Sequence, residues 1–488
     1  MESRSQWWRL SRVLSTDRHK TFIQRGNKTR RPSVFNLAWP AKAIARCPSG
    51  TLLGIDFTEM NDMKHRLSVV LIGVIGLQIP LWAGAAQQPA TEAPAGFDTP
   101  TLIRNPGSKS VSDGIAEPTG DNFVLDQQIY ETQHDVNSGL GPVYNGRACA
   151  ECHQNPVSGG ASQFTELRVG HLDAIGNFVN PIVTINDGAA SISGRSLIND
   201  RAVVPEAQEH IPVSENIRAL RAALNTLGDG FVEAIDDSTL LAIAARQPEV
   251  SGGRIHGEAI DVPVLEAPGQ SRIGRFGWKD QHSSLLSFIG DAYLNEMGVT
   301  NRLRPKDETT IGKVTQDPED VPDALGLADI DHFAQFVRGT KVPPRDTALA
   351  ATSAALAGEH LFNRIGCGAC HVSSITTAPP GTLIDGGTFA VPVALGNKII
   401  HPYSDFLLHD VGTGDGIVQA GPQDTANKLR TAALWGLRMR PRYMHDLRSL
   451  TLHDAIERHD GEAEHVARRF RSLSETEKQQ LLSFLESL

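Results

Sequence analysis

Four of the five cysteines in this 488-residue chain fall into two copies of one pattern, Cys149-Ala150-Glu151-Cys152-His153 and Cys367-Gly368-Ala369-Cys370-His371. Two thiols at this spacing can add across the vinyl groups of a haem, and the histidine directly after them can bind the iron from the proximal side. The pattern therefore points to two c-type haems, attached through Cys149, Cys152, Cys367 and Cys370, with His153 and His371 as proximal ligands. A Cys-x-x-Cys can instead be half of a zinc site or a thioredoxin-like dithiol. Neither alternative explains the histidines: with 17 His in 488 residues, chance would place one after both pairs with a probability of roughly 0.001. A zinc site built from both pairs would also have to join segments more than two hundred residues apart, where fingers and ribbons use far shorter spacings.

Thiols committed to haem belong to an oxidising compartment, and the N-terminal region agrees. Lys64, His65 and Arg66 follow Met63, Leu67 to Ile79 is almost unbroken apolar sequence, and Ala83-Gly84-Ala85 supplies small residues for cleavage. This layout predicts a signal peptide over 63–85 and a periplasmic mature protein. Gln78 and Pro80 interrupt the run and leave it short for a bilayer span, so no stable membrane anchor is expected. Residues 1–62 stand upstream of that signal and read as a non-native extension that contains Cys47, the one unpaired cysteine. Without residues 1–85 the chain keeps 33 Lys+Arg against 51 Asp+Glu, a net charge of −18 before haem propionates. Such a charge excludes nucleic acid as a partner and favours small basic electron donors.

About 400 residues remain, enough for two domains with one haem each. The Pro-, Ala- and Thr-containing stretch 86–120 reads as a flexible leader, 121–341 as the first haem domain, the Val342-Pro343-Pro344 step as a linker, and 342–488 as a cytochrome c domain. Apolar spacing predicts a helix over Ala348–Ile365 that runs straight into Cys367. Ser474-Glu475-Thr476-Glu477 reads as a capping box, followed by an apolar stripe at Leu481, Leu482, Leu485 and Leu488. Further helices are expected at Ser214–Leu227, Ser238–Arg246 and His282–Met297, with loops over Asn155–Arg195 and one good strand signal at Phe178–Ile185. The expected class is mainly α: two cytochrome c-like domains, each with one covalently bound haem, long loops and few strands.

Several segments outside the haem motifs carry a resemblance. Gly274-Arg275-Phe276-Gly277-Trp278-Lys279, Asn295-Glu296-Met297-Gly298, Ser404 to Asp410, Leu429 to Leu437, Tyr443 to Asp446 and His459 to Ala463 resemble the bacterial dihaem oxidoreductase family. That family is similar to the dihaem cytochrome c peroxidases and to the methylamine-utilisation dihaem enzyme. The resemblance implies that the C-terminal haem stores an electron and the N-terminal haem meets hydrogen peroxide or a similar small oxidant, with electrons from a small cytochrome or cupredoxin. A storage haem needs two protein ligands, whereas a peroxidatic haem needs an open position beside an acid–base group.

By the same resemblance, His459, 14 residues after His445, is the first choice for the second axial ligand of the C-terminal haem, with Met444 as the alternative. For a displaceable ligand on the first haem three readings stay open: His171, His210 or neither, since a lone loop histidine is more often a solvated side chain. Glu296, about 18 residues after Trp278, is expected to move a proton between the peroxide oxygens, supported by Gln281 or His282. Trp278 is expected to relay electrons between the haems. Two other readings stay open: a dihaem oxidase of a protein or organic substrate, and an electron carrier with no peroxidase activity. Relatives of this type hold calcium between their domains; no convincing equivalent of its ligands is found in this sequence, and calcium is left open. Assembly as a homodimer is left open.

Overall fold

The computed structural model describes residues 89–96 and 123–488. The expected upstream extension with Cys47, the expected signal peptide and most of the expected leader lie outside the described residues. Among the described residues, no helix is long and apolar enough to cross a membrane.

The first half builds a helical layer and a sheet that face each other. Helix Phe123–Glu131 lies against helix Asp329–Gly339, with Asp126 and His332 paired at 2.8 Å in the buried interface. Helix Leu285–Met297 starts where the Ser284 hydroxyl accepts the Ser287 N–H at 3.0 Å and stops at Gly298, whose φ of 71° suits a residue without Cβ. Tyr130, Tyr293, Phe333 and Phe336 interlock between these helices, with ring centres 4.5 Å apart for Tyr130–Phe336 and 5.2 Å for Tyr293–Phe333.

Opposite them, the strand Thr165–Leu172 pairs antiparallel with Ile217–Ala222 from Thr165↔Ala222 to Gly170↔Ile217, and also with Phe178–Val179 and Leu197–Ile198. The helix expected over Ser214–Leu227 is therefore a strand. Within Asn155–Arg195, the strand expected at Phe178–Ile185 forms as two short strands, Phe178–Val179 and Ile182–Ile185, while Thr165–Leu172 and Ala190–Ser193 are strands where loop was expected. The chain is thus a mixture of helices with many short strands and carries more sheet than a mainly α reading allows.

In the second half, Ser353–Ile365 and Glu475–Leu485 form the main helix pair. The helix expected over Ala348–Ile365 is two, Thr347–Ala350 and Ser353–Ile365, because Thr352 caps a new start by accepting the Ala355 N–H. The Ser474/Glu477 capping box forms as expected, and Leu481, Leu485 and Leu488 are buried, while Leu482 is half-buried. Gly366, with φ 109°, ends Ser353–Ile365 and turns the chain directly into Cys367.

The stretch after the second motif returns to the first core, where Ile375, Leu395, Ile400, Phe406 and Leu407 are buried beside Phe231 and Phe276. Part of the expected leader is ordered as well: Thr91–Glu92 pairs in parallel with Lys398–Ile399, and Ala95 bridges to Val342. Main-chain pairing fixes these residues where composition alone suggested a mobile tether.

Candidate functional site: two cavities with a common wall

The first Cys-x-x-Cys-His segment forms a single helical turn, Cys149–Cys152, closed by the His153 N–H donating to the Cys149 carbonyl at 3.0 Å. This turn places Cys149, Cys152 and His153 on the wall of one cavity of about 1100 Å³. The rest of the wall comes from both layers: Tyr293, Glu296 and Met297 from the helical side, Glu166, Arg168 and Ala222 from the sheet. Burial pushes the Cys149 and Cys152 thiols up to about 12. Thiols that hold their protons this firmly are poor zinc ligands and poor exchange nucleophiles. Among the described residues, no cluster of metal-ligand type contains both cysteines of either motif.

The second motif lines a narrower, apolar cavity with Phe362, Leu434, Met444, His459, Leu481 and Leu485. The His371 and His459 rings face each other there, with centres 6.5 Å apart. Two metal–imidazole bonds of about 2 Å each, plus the ring radii at both ends, span roughly 6 Å. The spacing fits one iron between the two rings. His371 Nδ1 donates to the Tyr403 carbonyl at 2.9 Å and His459 Nδ1 to the Ala455 carbonyl at 2.8 Å, which leaves both Nε2 atoms for a metal. Burial lowers both imidazoles, His371 to about 4, so both present neutral, ligating rings. Met444 lines the same cavity but does not form this facing pair.

Trp278 lines both cavities. Its Nε1–H donates to the Ala222 carbonyl at 2.7 Å, and its ring meets His445 edge-on at 5.9 Å. Arg430 also lines both cavities; its Nε donates to the Gly277 carbonyl and its backbone N–H to the Trp278 carbonyl, each at 2.8 Å. The partition is thus assembled from the segments Gly274–Lys279 and Leu429–Leu437, which are 150 residues apart in sequence.

Glu296 reaches the first cavity from the last turn of helix Leu285–Met297. Its hydrogen-bond donor is not the expected Gln281 or His282 but Asn145, whose Nδ2 lies 3.0 Å from Glu296 Oε2. Gln281 lines the cavity, yet its Oε1 accepts the Lys279 N–H at 3.3 Å, and His282 turns to Asp291 at 3.3 Å. Burial, and after it the charge of Glu166, push the Glu296 carboxyl well above the usual range. Glu166 and Asn145 were not among the expected site residues. Glu166 stands two positions from Arg168 on one strand face, an alternation visible in the sequence, whereas Asn145 has no signal beyond standing four residues before Cys149.

The expected ligands of the first haem are misplaced. His171 is tied by Nδ1 to Glu215 at 2.8 Å, and His210 is an exposed residue bridged through its backbone to Thr184. Neither lines the cavity, where His153 is the one histidine among the described lining residues. The acidic cluster Asp307, Asp317 and Glu319 converges on the Lys313 ammonium, so its centre already holds a cation of the chain itself.

Residues 213–488 match the family model described as "Di-haem oxidoreductase, putative peroxidase". The chain belongs to the di-haem oxidoreductase family. The matched region includes the second motif, Trp278, Glu296 and His459, while the first motif precedes it. Two solved structures are similar at low identity. One is hydrazine synthase of Kuenenia stuttgartiensis pressurised with xenon: 14% identity, 88% of this chain and 100% of that chain covered, TM-score 0.35. The other is a MauG-like protein associated with microbial copper homeostasis: 16% identity, 81% and 95% covered, TM-score 0.29. No curated protein sequence matches the chain.

Proposed function

We propose that the chain is a periplasmic dihaem peroxidase that reduces hydrogen peroxide to water with electrons from a small cytochrome or cupredoxin. The observation that carries this reading is the inequality of the two cavities. One offers a single histidine and a buried, proton-holding carboxyl; the other offers two facing imidazoles. His153 would hold a haem attached at Cys149 and Cys152, and His371 and His459 one attached at Cys367 and Cys370. When bound, the haems supply electron storage and a site where the peroxide bond can be cleaved.

The chain's own residues account for the rest. Asn145 fixes the Glu296 carboxyl, so that Glu296 can take the proton from the inner peroxide oxygen and return one to the outer oxygen, which leaves as water. Trp278 occupies the partition and shortens the gap between the two centres. His371 and His459, each oriented by a backbone carbonyl, would hold the second haem with an imidazole from each, so that it could store an electron without exchanging a protein ligand.

Optical and paramagnetic-resonance spectra of the oxidised and half-reduced holoprotein, followed by mixing with peroxide, test the proposal. One haem with an open position that reacts with peroxide is expected, and Glu296→Gln should slow the cleavage by roughly 100-fold or more. Two low-spin haems that ignore peroxide would make the chain an electron carrier instead.

A further inference from the structure

Glu166 enters the first cavity from the sheet, opposite the helix that carries Glu296. Its Oε1 accepts from Arg168 Nε at 2.6 Å, and Arg221 stands directly across the strand pair in register with it. The Glu166 and Glu296 carboxyl groups are hydrogen-bonded to each other, and Asn145 Nδ2 donates to Glu296 Oε2 at 3.0 Å. Two carboxylates in direct contact cannot both stay ionised, so a hydrogen bond between them requires one proton. Arg168 assigns it: the carboxyl bound to the guanidinium keeps the charge and the one bound to a neutral amide keeps the proton. We propose that Glu166 is a second acid–base residue of this cavity, and that Glu166 and Glu296 hold one proton between them as the local proton store.

The opposite shifts of the two groups agree with that assignment. Burial and the Glu166 charge raise Glu296, whereas for Glu166 the effect of burial is outweighed by Arg168 and by its bond to Glu296, which hold it low. The other charged groups acting here are Arg221 on Glu166, Asp291 on Arg168, and Glu151 and Arg201 on the neighbouring Cys152 thiol.

The role rests on the peroxidase reading. Reducing one peroxide takes two electrons and two protons and yields two waters. Glu296 gives its proton to the outer oxygen as the O–O bond breaks, and the inner oxygen's proton returns to the pair, so the first water leaves with the pair unchanged. The two protons that accompany the donor's two electrons then pass inward through the pair to complete the second water.

Infrared difference titration of the haem-loaded protein tests the pair without turnover. A carboxylic-acid C=O component beyond those of other buried acids such as Asp280, which burial also pushes up, should persist at neutral pH and be missing from Glu296→Gln. Glu166→Gln removes the negative neighbour and frees Arg168 for Glu296, so the pH at which the band disappears should fall by about one unit or more. Arg168→Gln should move it up, and this opposite sign carries the test if Glu166→Gln does not fold. The pH profile of peroxide turnover should follow the same two directions. A parent without the band, a band that survives Glu296→Gln, or a midpoint unmoved by both neighbouring substitutions overturns the proposal. A band that behaves as stated in a protein inert to peroxide refutes the peroxidase reading and leaves the proton-sharing pair standing.

Discussion

Replacing Gly358 by Ala should loosen the second haem centre, although alanine is the better helix former. A Cβ built on Gly358 would lie 2.0 Å from the Gln480 carbonyl oxygen, 2.6 Å from the Gln480 carbonyl carbon and 2.8 Å from Phe484 Cβ. Ordinary contact begins near 3.4 Å, so the helices Ser353–Ile365 and Glu475–Leu485 would have to part by more than 1 Å. The obstructing atoms are mostly backbone, which no rotamer change can move aside. Alanine gains about 1 kcal/mol of helix propensity over glycine. Overpacking a close contact costs about 1–3 kcal/mol, and the upper end applies where backbone blocks relaxation.

The net expectation is a loss of about 2 kcal/mol, or roughly 2 °C of melting temperature at about 2.1 cal/mol/K of unfolding entropy per residue over a body approaching 400 residues. The displacement also travels toward His371, because Phe484 meets Phe362 edge-on at 5.2 Å and Phe362 meets His371 at a tilt at 6.1 Å. Thermal unfolding followed by circular dichroism, together with the low-spin absorption of the second haem, reads both effects. A melting temperature equal to or above that of the parent, with an unchanged haem spectrum, would refute the close-approach reasoning.

His459→Ala should convert the second haem from six-coordinate low-spin to a form with an open or water-filled position, whereas Met444→Leu should leave its spectrum unchanged; paramagnetic resonance of the oxidised protein distinguishes the two. Trp278→Phe should slow reduction of the first haem by the second in stopped-flow measurements while each haem keeps its own spectrum, and an unaltered rate would remove Trp278 from the electron path. Burial alone would raise the Asp291 carboxyl, but His282 and Arg304 hold it down at about 2, below the ordinary 3.8. A depressed carboxyl stabilises the fold above its unfolded pKa and loses that contribution as pH falls through its folded pKa. Asp291→Asn should therefore lower stability at neutral pH and flatten the loss of stability of the parent between about pH 4 and pH 2 in denaturant titrations.

Local signals made the second half of the chain legible. The Ser474/Glu477 capping box and the stripe after it need only neighbours three or four positions apart, and both formed as the sequence implied. Ile217–Ala222 misled because its alternation is inverted. Arg221 is buried, where it pairs with Asp415 at 2.6 Å, while Leu220 is 39% exposed. A charged residue on the inside and a leucine on the outside hide a period of two, and a partner strand some fifty residues away decides the conformation. The same distance effect hid Glu166 in a stretch rich in glycine and asparagine. Trp278 and Glu296 were found through the family resemblance, and the cavities give them a place. His171 and His210 could not be rejected from sequence, because a loop histidine carries no mark of the direction in which it points.

The partition formed by Trp278, Arg430 and Ala222 makes the chain indivisible at Val342. A fragment ending at Lys341 would lose Arg430 from its cavity and Ile375, Ile400, Phe406 and Leu407 from its core. A fragment beginning at Val342 would lose Trp278 and Ala222 from the wall facing His371. Neither piece is a one-haem cytochrome awaiting release, and a chain that acquires only one of its haems leaves the common wall bare on one side.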